Sequence, residues 1–411
     1  MDIRKVKTII INFHAAICVL LGFYLLSMSA VIYAADGPGT TSMVILKQTM
    51  GPRAIALGDT FVAVADDVNT LQYNPAGLIS LQAMELTGIL MKKYRSVMNY
   101  QYTAFVIPDK NSKESFNNID IIDSMSKQQE DDQELTSMKR SILALMSRDE
   151  FLEYSKRQIR LEEEAEARRK SEKQKIGVVK EKMKYAFGAS FMSFNAGEMT
   201  VEYENPLEPS QTFASAQNDY IITVAGALGN DRCGAGINLK YIGSTFLETY
   251  SVSDVAMDIG CLYMQNIGES LSCRLGACIQ NVGPKVGYNE FQYMLPTTSR
   301  LGMSIKFNTM KMIQFNLDVM PAVEWVSPVD SHGQLHAGCE ISTELREESG
   351  DRMMIRGGYK TGRDINSYGI IGVGLRISSF QVDVSYVPLE LIKFDLGGLE
   401  EELMVALTLR F

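Results

Sequence analysis

Five arginines on the polar faces of alternating segments are the side chains best suited to bind an anionic group. A guanidinium binds a carboxylate through paired, charge-assisted hydrogen bonds, so these residues are candidate contacts for the carboxylate of a ligand. They are Arg274, Arg300, Arg352, Arg356 and Arg376. The alternative is that each one pairs with an acidic side chain of the protein. Acidic residues on similar segments are Asp258, Asp318, Glu340 and Asp383.

The histidines and cysteines offer no catalytic or metal-binding pattern. His332 and His336 have the spacing of two metal ligands on a helix, but they span a predicted junction of loop and strand. The cysteines contain no C-x-x-C pair, and the sequence has no Gly-rich phosphate loop and no G-x-S-x-G elbow. We therefore expect a protein that is not an enzyme and that has no metal or other cofactor.

Strands must position the five arginines, because apolar and polar residues alternate with a period of two from Met84 onward. The last strand places apolar residues at every odd position and ends on Phe411. Fourteen strands are predicted, centred on Met84–Tyr94, Asn99–Ile107, Tyr185–Phe194, Tyr220–Leu228, Ala235–Ser244, Val255–Met264, Leu271–Asn281, Ser299–Phe307, Met312–Met320, Leu335–Leu345, Arg352–Lys360, Tyr368–Ile377, Phe380–Pro388 and Leu403–Phe411.

A soluble β-sandwich and a membrane barrel would both show this alternation, but strand length and connections favour the barrel. The strands are near ten residues, which is longer than is usual in soluble sheets. Tight connections at Gly229–Gly234 and Ser378-Ser379 contrast with long ones, as in barrels whose short turns face the periplasm. The predicted long connections are Ala196–Asn218, Val282–Thr298, Pro321–Gln334 and Leu389–Glu402. We expect an all-β, antiparallel transmembrane barrel (84–411), in which Phe411 is the signal for the barrel-assembly machinery.

The first 35 residues read as a secretory signal peptide. Arg4, Lys5 and Lys7 precede an apolar run that ends near Ala30, and cleavage is expected near Ala34 or Ala35. No later run reaches the roughly eighteen apolar residues of a membrane helix, and the mean hydropathy is -0.03. The formal net charge of -9 makes nucleic acid an unsuitable partner.

One segment, Asp109–Lys184 (109–184), departs from the strand pattern. It contains no proline, and ten of the fifteen residues of Arg160–Gln174 are charged. Apolar residues at a three-four spacing predict a charged α-helical insert. Counting strands places the insert on the periplasmic side. It is either a solvated protrusion or a coiled coil that binds a periplasmic protein partner.

The segment 36–83, between the signal and the first strand, is rich in small residues. Asn74 can cap a helix that Pro75 begins, and Ala76-Gly77 follow. Such a compact segment can fold back into the lumen of a barrel.

This segment resembles the amino-terminal hatch of the FadL-type outer-membrane transporters of long-chain fatty acids, which carry an Asn-Pro-Ala motif. It is also similar to PorV/PorQ-type barrels and to spirochaete members of the same group, in which the pattern G-x-R-A-x-x-L-G…A-V-A-D-D…N-P-A-G recurs. Here that pattern starts at Gly51 and ends at Gly77. Later landmarks include Gln280-Asn281-Val282-Gly283 and Arg356-Gly357-Gly358-Tyr359. The charged insert is a departure from typical members.

The resemblance implies a fourteen-stranded barrel in the lipid of the outer membrane, plugged by its amino-terminal segment. It further implies that Asn74, Pro75, Ala76 and Gly77 form the hatch and its gate. The function implied is passive, hatch-gated uptake of long-chain fatty acids or similar hydrophobic ligands. The alternative, from the PorV side, is a scaffold or shuttle that binds partner proteins and transports no small molecule. An open porin ranks third, because a hatch would block it.

Overall fold

The structure is a computed structural model, and it describes residues 40–93, 98–109, 183–201, 211–213, 217–247, 250–267, 270–288, 291–308, 317–345, 350–363, 367–387 and 402–411. The predicted signal peptide (1–35) and nearly all of the predicted helical insert (109–184) lie outside the described residues, and both stay predictions. Within the described residues, no helix is long and apolar enough to cross a membrane.

Fourteen antiparallel strands form a closed barrel, as the sequence predicts. The barrel strands are β1 (Glu85–Lys93), β2 (Met98–Ile107), β3 (Lys184–Asn195), β6 (Gln217–Gly229), β7 (Cys233–Phe246), β8 (Tyr250–Ile267), β9 (Leu271–Val282), β12 (Thr298–Asn308), β13 (Leu317–Pro328), β14 (Gln334–Glu344), β15 (Arg352–Gly362), β16 (Tyr368–Ile377), β17 (Phe380–Val387) and β18 (Glu402–Arg410). Their order around the barrel is β1-β18-β17-β16-β15-β14-β13-β12-β9-β8-β7-β6-β3-β2.

Two short hairpins stand outside the barrel sheet: β4 (Met199–Val201) pairs with β5 (Gln211–Phe213), and β10 (Val286–Tyr288) pairs with β11 (Phe291–Tyr293). The barrel closes where β1 pairs with β18, with Glu85 opposite Arg410. The first strand therefore begins, and the last strand ends, at one end of the barrel. We call this the terminal end, and the other the distal end.

The two faces of the strands differ as a membrane barrel requires. On β18, Leu403, Val405 and Leu407 face outward and are exposed, whereas Met404 and Ala406 are buried. Exposed aromatic residues lie near both ends of the outer surface: Tyr220, Tyr241, Trp325 and Tyr359 toward the distal end, and Tyr185, Phe187, Phe380 and Phe411 toward the terminal end. An apolar belt between two aromatic girdles is the outer surface that a bilayer selects.

The strand predicted at Met312–Met320 is displaced in the structure, where β13 runs over Leu317–Pro328. The connection predicted at Pro321–Gln334 is correspondingly short, at residues 329–333. Pro321 misled the prediction, because proline lacks an N–H and usually ends a strand. Here Pro321 lies inside β13 opposite Cys339, and the β12–β13 pairing is interrupted between Ser304↔Ala322 and Phe307↔Val319. The hydrogen-bond ladder between β12 and β13 therefore has a local gap beside the proline.

The amino-terminal residues lie inside the barrel. They include a 3-10 helix (Val44–Lys47), two short α-helices, α1 (Pro52–Ala56) and α2 (Thr70–Tyr73), and a second 3-10 helix (Pro75–Ser80). Helix α1 packs on β15, β16, β17 and β18, while the helix Pro75–Ser80 packs on β3, β6, β7 and β8. These contacts lie on opposite walls, so the segment crosses the lumen. We call residues 41–49 the strap and residues 50–81 the plug.

Candidate ligand cavity beside the plug

The Asn-Pro-Ala-Gly motif fastens the plug to the barrel wall. The Asn74 side chain caps the helix Pro75–Ser80 by accepting a hydrogen bond from the Ala76 N–H at 3.1 Å. Its Nδ2 donates to the Val62 carbonyl at 2.7 Å and to the Cys261 carbonyl of β8 at 3.0 Å. Asn74 has no exposed surface, and Pro75, Ala76 and Gly77 are also buried. The motif therefore joins three pieces of backbone inside the lumen.

Glycines on the inner wall allow the plug backbone to approach the strands closely. A Cβ on Gly276 of β9 would overlap with the Val62 carbonyl, and one on Gly338 of β14 would overlap with the Leu57 carbonyl. Glycine is needed where another backbone lies against a strand in this way. The small residues of the plug are thus matched by small residues of the wall.

A buried network of ion pairs connects helix α1 to the wall. Arg53 donates to Glu340 of β14 through Nε at 2.8 Å and to Asp67 through Nη1 at 2.8 Å. The same Glu340 accepts from Arg356 of β15 at 2.7 Å, and Arg356 also donates to Asp383 of β17 at 2.6 Å. One carboxylate is therefore shared between a plug arginine and a wall arginine.

Asp59 is the second charged anchor of the plug. Its carboxylate forms an ion pair with Lys360 of β15 and accepts hydrogen bonds from Tyr73 Oη at 2.6 Å and from Thr49 Oγ1 at 3.0 Å. Burial by itself would raise the pKa of Asp59, but the cations Lys360 and Arg300 lower this pKa below the ordinary value of an aspartate. Asp59 therefore stays ionised and keeps its partners at neutral pH.

The side chain of Glu324 on β13 binds backbone N–H groups of the plug. Its carboxylate accepts hydrogen bonds from the Phe61 and Val62 N–H groups at 2.8 and 2.9 Å and from Arg300 of β12 at 2.7 Å. Arg300 also lies over the Tyr73 ring, 5.3 Å from its centroid. Together with Asn74, Arg53 and Asp59, this contact holds the plug at several points around the lumen.

A cavity of about 300 Å³ lies between the strap, the plug and the distal half of the barrel. This volume is at the lower end of the range of about 300–1,000 Å³ for small-molecule sites. Its apolar lining includes Ile45, Leu46, Leu71, Met192, Ile221 and Val326. Its positively charged lining consists of Lys47, Lys240, Arg300 and Lys360. An amphiphile with an apolar body and a polar head matches this mixed surface.

The strap forms the distal boundary of the cavity. Thr41 bridges to Met294 beyond β11, and the Ser42 N–H donates to the Met294 carbonyl at 3.0 Å. Asp330, in the β13–β14 connection, accepts from Thr41 Oγ1 at 2.7 Å and forms an ion pair with Lys47. The strap is thus attached to two distal connections of the barrel.

No protein-family model and no curated protein matches the sequence. The barrel is similar in fold to FadL-type proteins. Solved structures with this similarity include the Ralstonia pickettii toluene transporter TbuX, at 10% identity over 88% of this chain and 98% of that chain, with a TM-score of 0.44. A Pseudomonas aeruginosa FadL homologue matches at 9% identity over 89% and 98% of the two chains, with a TM-score of 0.39.

The Pseudomonas putida toluene transporter TodX matches at 9% identity over 92% of this chain and 98% of that chain, with a TM-score of 0.40. At such identities the similarity extends to the fold alone, so the function must come from the residues of this chain. The PorV-type resemblance stays a prediction.

Of the five arginines proposed as ligand contacts, Arg300 lines the cavity. Arg352 pairs with Glu344 at 2.6 Å, and Arg356 pairs with Glu340 and Asp383. Arg274 donates to the Val64 carbonyl at 2.6 Å, and Arg376 donates to Gln381 at 2.9 Å. These four lie beside the plug or the terminal end and are not part of the cavity lining. Their role as carboxylate contacts stays a prediction.

Sequence reasoning missed several polar residues of the cavity, among them Lys47, Lys240, Asp330 and Lys360, and it considered His336 only as a metal ligand. His336 shares the inward face of β14 with Glu340, and Lys360 shares that of β15 with Arg356, so the alternation could have identified both. Lys240 lies on the inward face of β7, where no residue was considered. Lys47 and Asp330 lie outside the strands, and nothing in the local sequence pairs residues that are so far apart along the chain.

Proposed function

We propose that the protein is an outer-membrane uptake channel for long-chain fatty acids or similar hydrophobic molecules, which cross by passive, hatch-gated diffusion. The observation that carries this proposal is the half-apolar cavity enclosed between the strap, the plug and the distal wall. Burial of each methylene of a ligand contributes roughly 0.8 kcal/mol, so a few apolar side chains are enough to bind a hydrocarbon chain without elaborate polar recognition.

The filled lumen supports a gated channel over an open porin. Plug residues such as Leu57, Phe61 and Leu78 have no exposed surface and lie against the barrel wall. A ligand in the cavity can continue only if part of the hatch (36–83) moves. We place the terminal end in the periplasm, as expected when both ends of the barrel chain lie on one side of it.

Uptake of labelled oleate by cells that lack their own fatty-acid transporter tests the proposal. We expect uptake well above the level of cells with an empty vector. A variant with Asn74→Ala and Pro75→Ala is expected to change the rate of oleate uptake, because the motif fastens the plug to the barrel wall. Asn195→Ala is the matched control, because Asn195 hydrogen-bonds Asn218 at an exposed position of the distal rim.

Correct outer-membrane assembly without uptake would contradict the proposal. The scaffold alternative predicts that outcome, together with retention of a partner protein that is lost when residues 110–183 are deleted. Under the transport proposal, the same deletion leaves oleate uptake intact.

A further inference from the structure

Two arginines lie opposite each other on the inner wall near the terminal end. Arg352 of β15 and Arg376 of β16 are direct cross-strand partners, and the alternation of both strands turns them into the lumen. The Cα atoms of such partners are roughly 5 Å apart, and like charges at this spacing repel each other. The pair therefore destabilises the wall unless negative charge compensates both arginines.

Arg352 has acidic partners, whereas Arg376 does not. Arg352 pairs with Glu344 of β14 at 2.6 Å and with Asp318 of β13 at 3.5 Å, on the side away from β16. Arg376 donates from Nε to Gln381 Oε1 of β17 at 2.9 Å, and this acceptor is neutral. Among the residues that the structure describes, no carboxylate lies within 4 Å of the Arg376 guanidinium.

Other cations increase the positive charge around Arg376. Its electrostatic neighbours include Arg410, Arg53 and Arg352, which repel it, and Glu85, which attracts it. Glu85 is already paired with Arg410 at 2.8 Å. This acid therefore neutralises one arginine of the group and leaves the charge of Arg376 uncompensated.

Gln381 fixes the orientation of Arg376. Gln381 Nε2 donates to Asp383 at 2.6 Å, so its Oε1 atom is turned toward Arg376 Nε. Asp383 is itself held by Arg356 at 2.6 Å. Since Nε is bound in this way, Nη1 and Nη2 are the donors that Arg376 offers to a further partner. Two donors side by side match the two oxygens of a carboxylate or a phosphate.

The lumen at this level is accessible from the terminal end. The side chains of Arg352 and Arg410 are 29 and 22% exposed, whereas those of Arg356 and Arg300, which lie against the plug, are 0 and 8% exposed. Arg376 is also partly exposed. A small ion from the terminal side can therefore reach Arg376 without any movement of the plug.

We propose that Arg376, flanked by Arg352 and Arg410, forms an oxyanion-binding site at the terminal end of the lumen. The ligand class is a small carboxylate or phosphate, which accepts paired hydrogen bonds from Nη1 and Nη2 while the two flanking arginines attract it at longer range. The site is separate from the cavity beside the strap, whose lining includes none of these three arginines. It does not depend on what the channel transports.

Thermal unfolding of the purified full chain in detergent, at constant ionic strength with chloride as the background anion, tests this proposal. Inorganic phosphate should raise the unfolding temperature of wild type, because a ligand that binds the folded state stabilises it. Arg376→Gln should remove this rise, and should weaken phosphate binding in isothermal titration about tenfold or more. Arg363→Gln, at an exposed position beyond the distal end of β15, is the matched control and should behave like wild type.

The unfolding temperature without phosphate separates a binding role from a structural one. Arg376→Gln should then unfold at the temperature of wild type or above it, because the change removes the repulsion with Arg352. A lower temperature would show that Arg376 supports the wall, and the proposal would be wrong. It would also be wrong if phosphate still stabilised Arg376→Gln but no longer stabilised Lys47→Met, since the anion would then lie in the cavity.

Acetate and octanoate identify the source of the oxyanion. A carboxylate delivered through the channel brings an apolar chain, so octanoate should then bind more tightly than acetate and lose this binding in Arg376→Gln. An oxyanion from the periplasm instead gives phosphate binding together with weaker, equal binding of the two carboxylates. Either result supports the site. If none of the three anions binds in a manner that depends on Arg376, the site is refuted, while oleate uptake still tests the proposed function separately.

Discussion

At the scale of single residues, the lumen is organised by carboxylates that belong to the plug and to the wall at the same time. Glu340 binds Arg53 of the plug and Arg356 of the wall, and Glu324 binds two plug N–H groups and Arg300. Such buried pairs add little to the net free energy of folding, because each loses much of its Coulombic gain to desolvation. Their arrangement fixes where the plug lies.

Glu340→Gln is therefore expected to loosen the plug. The change leaves Arg53 and Arg356 with one buried carboxylate fewer, and breaking a buried pair on one side costs about 3–5 kcal/mol, an upper bound here because Asp67 and Asp383 remain. Conductance of single proteins in planar bilayers should rise. Glu344→Gln is the control, because Glu344 binds Arg352 away from the plug. Equal conductance of the two variants would show that Glu340 does not hold the plug.

Asn74→Ala should have a similar effect through hydrogen bonds. It removes the amide that donates to the Val62 and Cys261 carbonyls, and a buried group left unsatisfied costs about 1–3 kcal/mol. We expect easier entry of a small hydrophilic antibiotic into cells that produce the variant, measured as growth inhibition. Asn195→Ala should behave like wild type. If the antibiotic enters cells with the variant no more easily than cells with wild type, Asn74 caps a helix but does not hold the plug against the wall.

The sequence predicts such residues only in part. The capping role of Asn74 follows from its place before Pro75, and the inward position of Arg300 and Arg356 follows from alternation. The partners do not follow, because Arg53 and Glu340 are 287 positions apart and meet only when the segment folds into the closed barrel. A local pattern identifies a face, whereas a contact depends on which wall the plug reaches.

At the scale of elements, period-two alternation was enough to place the barrel strands. A strand with one face in lipid must keep its apolar residues at every second position. The alternation failed at β13, where Pro321 lies within a strand. It also gave no sign of a division between the strap and the plug. That division depends on tertiary contacts: the plug has polar anchors around the lumen, while the strap contacts Asp330 and Met294 and buries Met43 and Ile45.

The wall glycines give an element-scale prediction. Gly276→Ala places a methyl group against the Val62 carbonyl, and overpacking of this kind costs about 1–3 kcal/mol. The temperature at which the purified barrel unfolds should therefore fall by several degrees. Gly88→Ala is the matched control, since nothing lies within 4 Å of a Cβ at Gly88. If the two variants unfold at the same temperature, β9 and the plug are not in close backbone contact.

At the scale of the whole molecule, the order of strands determines which connections share an end. β1 begins at Glu85 and β18 ends at Arg410, and these residues pair at the terminal end. β2 runs back to Ile107, and β3 starts from Lys184 at that same end. Ile107 and Lys184, which flank the predicted insert, therefore both lie at the terminal end. Asn195 of β3 and Gln217 of β6, which flank the β4–β5 hairpin, lie at the distal end.

With the terminal end in the periplasm, an epitope at Glu162–Arg169 should be hidden on intact cells, and one at residues 202–210 should be accessible. Both should react after the outer membrane is permeabilised, which controls for epitopes that are masked by folding. Antibody labelling of the two tagged proteins, at matched levels in the outer membrane, measures this directly. Labelling of the first epitope alone on intact cells would show that the barrel has the opposite orientation in the membrane. The cavity beneath the strap would then open toward the periplasm, and it could no longer be the entry site for a ligand from outside.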